Sequence, residues 1–342
     1  MTTEVPLLDI QSVSMSFPAR RSLAAWIGGA KPRELQAVRE VSLQLKPGET
    51  VGLVGESGCG KSTLGRCIAG LYKPTSGQIF YRGEPLHAAG NRDKAPRRVQ
   101  MIFQDPYASL NPRMTIEQTL SEVLRVHKLA KGRHSIGERV DRILTTVGLS
   151  PALKAQLPHS FSGGQRQRIS IGRALAVEPE IIIADEPVSA LDVSIQAQII
   201  NLFVRLREEF QLAYLFIAHD LNVVRHVSHR IAVMYLGQIV ELAPSRELFR
   251  NPGHPYTRAL LSAIPKPDPD QRSRAISLEG ELPDPHSPPP GCSFHTRCPI
   301  AIARCTIEPP QLLEHAPSRW VRCHRAFEIR THNLKPPSTI QT

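Results

Sequence analysis

The sequence predicts an α/β fold built on a mostly parallel β-sheet flanked by helices. Three observations carry this. Short apolar runs recur at Ile181–Ala184, Tyr214–Ala218 and Ile231–Met234, as expected of strands buried on both faces. Stretches with helical spacing of apolar residues, 164–177, 192–210 and 220–227, alternate with them, and such alternation marks a parallel sheet. A glycine-rich turn also joins an apolar strand, Thr50–Val54, to a helix opening at Lys61.

Taken in order, residues 7–17 (LLDIQSVSMSF) and 36–55 carry alternating or short apolar runs interrupted by Pro47-Gly48, the pattern of strands and a turn. A helix is expected from Lys61 to about Leu71, then strands near Gln78–Arg82 and Val99–Phe103. Between 115 and 157 apolar residues fall at helical spacing (Ile116, Leu120, Val123, Leu124; Val140, Ile143, Leu144, Val147), predicting a helical insertion. Beyond residue 250 lie 16 of the 30 prolines, so an irregular appendage, held by something other than a large core, is expected there.

With 342 residues, 41% of them hydrophobic, the chain is long enough for one large domain plus an appendage. It has no run approaching the ~18 apolar residues of a spanning helix, and its start, MTTEVPLLDIQ, lacks the layout of a signal peptide. A cytosolic location is the expectation. The formal charge of +11, from 42 Lys plus Arg against 31 Asp plus Glu, suits a nucleotide, nucleic acid or an anionic membrane face. The basic residues are dispersed without interleaved aromatics, which argues against nucleic acid as the partner.

Gly55-Glu56-Ser57-Gly58-Cys59-Gly60-Lys61-Ser62-Thr63 follows a strand and opens a helix, the context a phosphate-binding loop requires. Glycines let successive N–H groups turn toward phosphate oxygens, and the helix N-terminus adds a favourable field. Lys61 brings positive charge to the terminal phosphates and Ser62 a hydroxyl for Mg²⁺. The apolar strand ending in Asp185-Glu186 supplies carboxylates for Mg²⁺ (Asp185) and for polarising an attacking water (Glu186). Alone, such a strand is as often structural; beside the loop it has a chemical role.

Phe161-Ser162-Gly163-Gly164-Gln165, just ahead of a helical pattern, resembles the signature sequence of ABC ATPases. In that family its hydroxyl and backbone N–H groups cap the γ-phosphate of ATP bound to the opposite subunit. As an anion site without a lysine it would hold ATP weakly alone, and the same residues could serve as an ordinary helix cap. The other family elements stand in order. Gln104 matches the Q-loop glutamine that reaches Mg²⁺ and the attacking water, Ser189-Ala-Leu-Asp192 the D-loop, and His219 the switch histidine. Phe17 resembles the aromatic that stacks on adenine, with an edge or core aromatic as the alternative.

The stretches GESGCGKSTLGR, FQDPYASLNPR, FSGGQRQRI, ADEPVSALDVSIQAQIINL, NPGHPYTRALLSA and GELPDPHSPPPGCSFHTRCP are similar to the ATPase subunits of dipeptide/oligopeptide importers, over about residues 7–326. The similarity is greater to the F-named of the two ATPase subunits than to the D-named. Phe161 replaces the usual leucine of the signature, as in this subfamily. The resemblance implies an ABC-type P-loop nucleotide-binding domain over 1–250: a RecA-like core, an antiparallel β subdomain and a helical subdomain at about 105–178. A small Pro-rich, cysteine-containing domain at 251–330 and a flexible tail at 331–342 would follow. It implies ATP and Mg²⁺ as ligands, a second, paralogous ATPase paired head to tail, two transmembrane permeases and an extracytoplasmic substrate-binding protein. The place is the cytoplasmic face of the inner membrane, with no nucleic acid expected. Nickel chelates or glutathione are alternative cargoes. A soluble ABC protein acting on nucleic acid is a rival, disfavoured because the chain has neither two nucleotide domains nor a long coiled-coil insertion.

Cys292, Cys298, Cys305 and Cys323 fall within 32 residues of the tail. In a reducing compartment such a cluster points to a metal before disulfides, and four thiols can close a tetrahedral site. The spacings resemble the tail of peptide-importer ATPases, where they ligate an iron–sulfur cluster, implying 4Fe–4S; Zn²⁺, with His295, His315 or His324 as substitute ligands, and unligated thiols are the alternatives.

Overall fold

The computed structural model describes residues 5–18, 34–86, 95–107, 109–264 and 283–326. The expected flexible tail at 331–342 lies outside them. Strands β1 (Leu8–Phe17) and β2 (Leu35–Leu45) pair antiparallel, with Leu8 opposite Leu45 and Ile10 opposite Leu43. β3 (Thr50–Val54) leads into the helix Lys61–Ile68, and β4 (Ser76–Tyr81) and β5 (Glu84–Pro85) complete a four-stranded antiparallel sheet in the order β2-β1-β4-β5.

The larger sheet contains β6 (Val99–Ile102), β7 (Ile181–Asp185), β8 (Ala213–Ile217), β9 (Arg230–Tyr235) and β10 (Gln238–Pro244). Two tail strands, β11 (Leu313–Ala316) and β12 (Arg319–Val321), extend it. Its order is β11-β12-β10-β9-β3-β8-β7-β6, parallel from β9 through β6 and antiparallel from β9 through β11. The unbroken apolar runs follow from burial on both faces. Ile182 and Ala184 face one hydrophobic cluster, with Tyr214, Phe216 and the helix Val193–Phe210. Ile181 and Ile183 face the other, with Leu215, Ile217, β1 and the helix after the phosphate loop. This is the period of two of an extended chain.

The helical insertion forms as expected. Thr115 caps the helix Ile116–Val126 by accepting the Gln118 N–H, while Gln118 accepts the Thr115 N–H, a reciprocal box. Ile116, Leu120 and Leu124 recur every fourth residue on its buried face. Ile136, Val140 and Leu144 do the same in Arg133–Thr146. No helix among the described residues is long and apolar enough to cross a membrane.

The structure departs from the expectation for the tail. β12 pairs with β10, Glu241 opposite Val321 and Leu242 opposite Trp320, so tail residues share the core sheet. Phe294 is buried with Tyr235 and Tyr256 in the main cluster. Glu241 is wholly buried and accepts the Gly253 and His254 N–H groups at 2.7 and 2.8 Å, fastening the start of the tail to β10. Proline content signals few regular elements but not where their apolar side chains lodge. β10 itself, which starts after the turn Leu236-Gly237, was not expected from the pattern.

Candidate nucleotide site

The phosphate loop leaves β3 at Gly55 and closes at the N-terminus of the helix Lys61–Ile68. Two glycines are indispensable to its path. A Cβ on Gly55 would stand 2.1 Å from the Met234 carbonyl oxygen, and one on Gly60, at φ +105°, would stand 2.0 Å from that of Ala37. Backbone atoms cannot yield to such contacts. Lys61 is buried, its ammonium donating to the carbonyls of Gly55 (2.8 Å) and Glu56 (3.0 Å). Its ammonium also lies 3.8 Å from Cys59 Sγ, and among the described residues it forms no ion pair with a carboxylate.

Ser62 donates to Asp185 Oδ1 at 2.8 Å, joining the loop to the end of β7. Burial raises the Asp185 carboxyl above its ordinary range, opposed by the Ser62 hydrogen bond and the charge of Arg66. Glu186 follows in left-handed backbone, φ +47°, a conformation costing about 1 kcal/mol or more and common at functional sites. Its Oε2 accepts from Gln104 Nε2 at 3.0 Å and lies 3.2 Å from His219 Nδ1. Three elements, β6, β7 and β8, thus deliver Gln104, Glu186 and His219 to one point beyond their C-terminal ends, where ligands of parallel sheets bind.

These side chains border a cleft of about 380 Å³ that also takes in Phe17, Ser57, Gly58, Gly60, Lys61, Ser62 and Thr63. Phe17 is half-buried at the end of β1, edge-on to Tyr72 with ring centroids 5.4 Å apart, and leaves its ring on the cleft wall. Ala37, Gly237 and the tail residue Pro285 complete the wall; the sequence did not single these out, because their place follows from β2, the β9–β10 turn and the tail folding over the loop.

The signature residues lie elsewhere. Ser162 caps the helix Gly163–Leu175 by accepting the Gln165 N–H, and Gln165 accepts the Ser162 N–H, so the cap is real. None of Ser162, Gly163, Gly164 and Gln165 borders the cleft; Ser162 is exposed and Gly164 buried against Ile195. Asp192, exposed, precedes the helix Val193–Phe210 without a side-chain capping bond.

The tail cysteines gather. Cys292, Cys298, Cys305 and Cys323, with His254, His295 and His324, line one nearly closed cavity of about 10 Å³, roughly one water's worth of room. Yet among the described residues no three His, Cys, Asp or Glu side chains form a group able to hold a metal ion. The geometry therefore does not support the expected iron–sulfur or zinc centre. Burial pushes the thiols of Cys298 and Cys323 up to about 12 and that of Cys292 upward. His315 points instead to the Val321 carbonyl.

A phosphate loop, an acidic pair at a strand end and a capped signature helix facing away from its own cleft define an ABC-type nucleotide-binding domain. Residues 38–189 match the ABC transporter family, and residues 240–305 the oligopeptide/dipeptide transporter C-terminal region. The chain is 55% identical over 310 residues to the oligopeptide transport ATP-binding protein OppF of Escherichia coli, covering 90% of this chain and 92% of that protein. It is 51% identical over 324 residues to AppF of Bacillus subtilis, which carries the same description, with 93% and 97% covered. Among solved structures it resembles the CbiO1 ATPase of Clostridium perfringens, part of an ABC transporter complex, at TM-score 0.61 and 25% identity over 72% of this chain and 92% of that one. The ATP-binding cassette MJ0796, a dimer with ADP and phosphate bound, gives 0.60 and 28% over 70% and 99%. The chain belongs to the ATP-binding subunits of oligopeptide/dipeptide ABC transporters.

Proposed function

We propose that the chain binds MgATP along Gly55–Thr63 and hydrolyses it in a head-to-tail pair with a second, paralogous ATP-binding subunit, energising peptide import through two permeases fed by a substrate-binding protein. The chain is an ABC ATPase coupled to oligopeptide transport; the residue roles, the pairing and the position on the cytoplasmic face of the membrane are the proposal. One observation carries it: Gln104 and His219 both converge on Glu186 at the mouth of the cleft that holds Lys61 and Ser62.

In this account Lys61 leaves the Gly55 and Glu56 carbonyls for the terminal phosphates. Ser62, Asp185 and Gln104 are the oxygen ligands for Mg²⁺, which when bound offsets the charge on the phosphates. Glu186 accepts a hydrogen bond from the attacking water and His219 steadies Glu186 beside the γ-phosphate, while Phe17 stacks on the adenine. Because Ser162–Gln165 lie off the chain's own cleft, the Ser162 hydroxyl and the Gly163 and Gly164 N–H groups at the start of the helix would be the donors for the nucleotide of the partner, with Asp192 at the shared interface. Closing and reopening of the pair would swing the permeases through contacts near Gln104–Asn111 and the helical insertion.

In the division of the chain, residues 1–250 hold the nucleotide machinery and 251–330 the peptide-importer tail. The four thiols do not form a ligand group as they stand, but they line one cavity and would be the donor set if the tail closed on an iron–sulfur cluster, with zinc as the second choice; iron and acid-labile sulfide in anaerobically prepared protein test this, and stoichiometric zinc would replace it. The whole proposal is tested by the ATPase rate of the assembled transporter with and without a peptide-loaded binding protein. A peptide-stimulated rate supports it, and a rate indifferent to the permeases and to peptide overturns it.

A further inference from the structure

We infer that Arg297, in the cysteine-bearing turn of the tail, is a positioning residue for ATP binding, acting through Glu56 of the phosphate loop. The inference rests on the assignment of ATP to that loop. Arg297 is 241 residues from Glu56 in sequence, yet its guanidinium donates to both carboxylate oxygens, at 2.8 and 3.2 Å. Only 8% of the Arg297 side chain is exposed, so this pair is far better shielded than a surface ion pair, and its two-pronged geometry fixes orientation as well as charge.

A second tail contact reinforces it. The Glu56 backbone N–H donates to the Tyr256 hydroxyl at 2.8 Å, while the Glu56 carbonyl accepts from Lys61 at 3.0 Å. The peptide groups flanking Glu56 are therefore held on one side by the tail and on the other by the lysine that must turn to phosphate. When Lys61 leaves, the tail contacts remain, together with the Cys59 N–H that donates to the Glu56 carbonyl at 3.3 Å, to keep the start of the loop in place. Tyr256 packs on Tyr235 and Phe294, Phe294 lies between Cys292 and the turn His295–Arg297, and Pro285 of the same tail borders the cleft. The tail thus reaches the loop through two residues, both on Glu56, and borders the cleft at a third.

Electrostatics give Arg297 its consequence. A carboxylate in the phosphate loop repels a polyanionic ligand, and Arg297 neutralises it. Without Arg297, Glu56 would carry an uncompensated negative charge beside the phosphate site and its side chain would lose its anchor. The effect falls on ATP affinity and not on the water-activating group, because among the described residues Glu186, Gln104 and His219 share no hydrogen bond or ion pair with Arg297 or Glu56.

The test uses the full chain in equilibrium ATP binding and the assembled transporter in ATPase assays. Arg297→Met is expected to raise the Kd and the KM for ATP about tenfold with kcat at saturation within twofold of the parent. Glu56→Gln combined with Arg297→Met should recover most of that loss by removing the unpaired carboxylate, and Arg297→Lys should recover part. Should Arg297→Met fail to fold, Tyr256→Phe, which keeps the ring, is expected to raise the KM a fewfold with kcat unchanged. A folded Arg297→Met chain with unchanged KM, a lowered kcat at unchanged KM, or no recovery in the double variant would overturn the inference. If the parent chain binds no ATP, the assignment of the loop fails instead.

Discussion

The phosphate loop and the cysteine tail are both marked by conspicuous residues, but they are built by opposite means. The loop is local: nine consecutive residues running from the end of β3 into the first turn of a helix, with Gly55 and Gly60 each excluded from any other residue type by a carbonyl about 2 Å from the missing Cβ. The tail is assembled at a distance, through β12 on β10, Glu241 on the Gly253 and His254 N–H groups, and Arg297 on Glu56. A local site survives as a sequence pattern. A distant one leaves its residues visible and its contacts hidden.

The sharpest way to break this comparison is to strike the loop itself. Lys61→Ala removes a buried ammonium placed for phosphate, and charge-assisted hydrogen bonds contribute about 1.5–3 kcal/mol each. ATP binding by the full chain, measured by equilibrium dialysis, should weaken roughly 10- to 100-fold; unchanged affinity would place the phosphates elsewhere.

Ser162→Arg comes next. It puts a bulky cation into an exposed cap that does not border the chain's own nucleotide cleft. ATP affinity at the chain's own loop should stay within twofold, while ATP-dependent pairing followed by light scattering disappears. Equal loss of binding and pairing would contradict a site completed across two subunits.

For the tail, changing Cys298 and Cys305 to Ser removes two thiols from a cavity whose walls include Phe294 and His254. Limited proteolysis should cut sooner beyond about residue 283, with the core through β10 intact. Because Arg297 neighbours Cys298, ATP affinity should fall severalfold alongside. Unaltered affinity in a chain cut rapidly at the tail would separate the two regions and restore the picture of an independent appendage.

Much of this was legible in the sequence. The apolar runs at 181–184, 214–218 and 231–234 became β7, β8 and β9 because a parallel sheet covered on both faces leaves no polar alternation to confuse it. Glu186 could be singled out from its place at the end of an apolar strand beside the phosphate loop, whereas Gln104 and His219 were marked by the resemblance to ABC ATPases; all three stand just beyond strand ends. β11 and β12 escaped because they are short antiparallel additions at a sheet edge with mixed exposure, and β10, though mostly buried, because it follows β9 after a turn of only two residues, Leu236-Gly237. The Pro-rich composition of the tail foretold irregular backbone, but the burial of Phe294 and Tyr256 in the main core depends on shape, which composition does not encode. The cysteines' proximity could be anticipated; the buried cavity they share with His254 and Phe294 could not, because it forms only when the tail closes on the core.

The central claim is that Glu186, held by Gln104 and His219, positions the water that attacks ATP. Glu186→Gln keeps the size and one hydrogen-bond acceptor but removes the charge, and a positioned base is typically worth 10²–10⁴ in rate. In the assembled transporter, single-turnover hydrolysis of ATP by this variant should fall at least about 100-fold while nucleotide binding persists and the closed pair accumulates. Hydrolysis within twofold of the parent, with ATP still bound, would contradict the account.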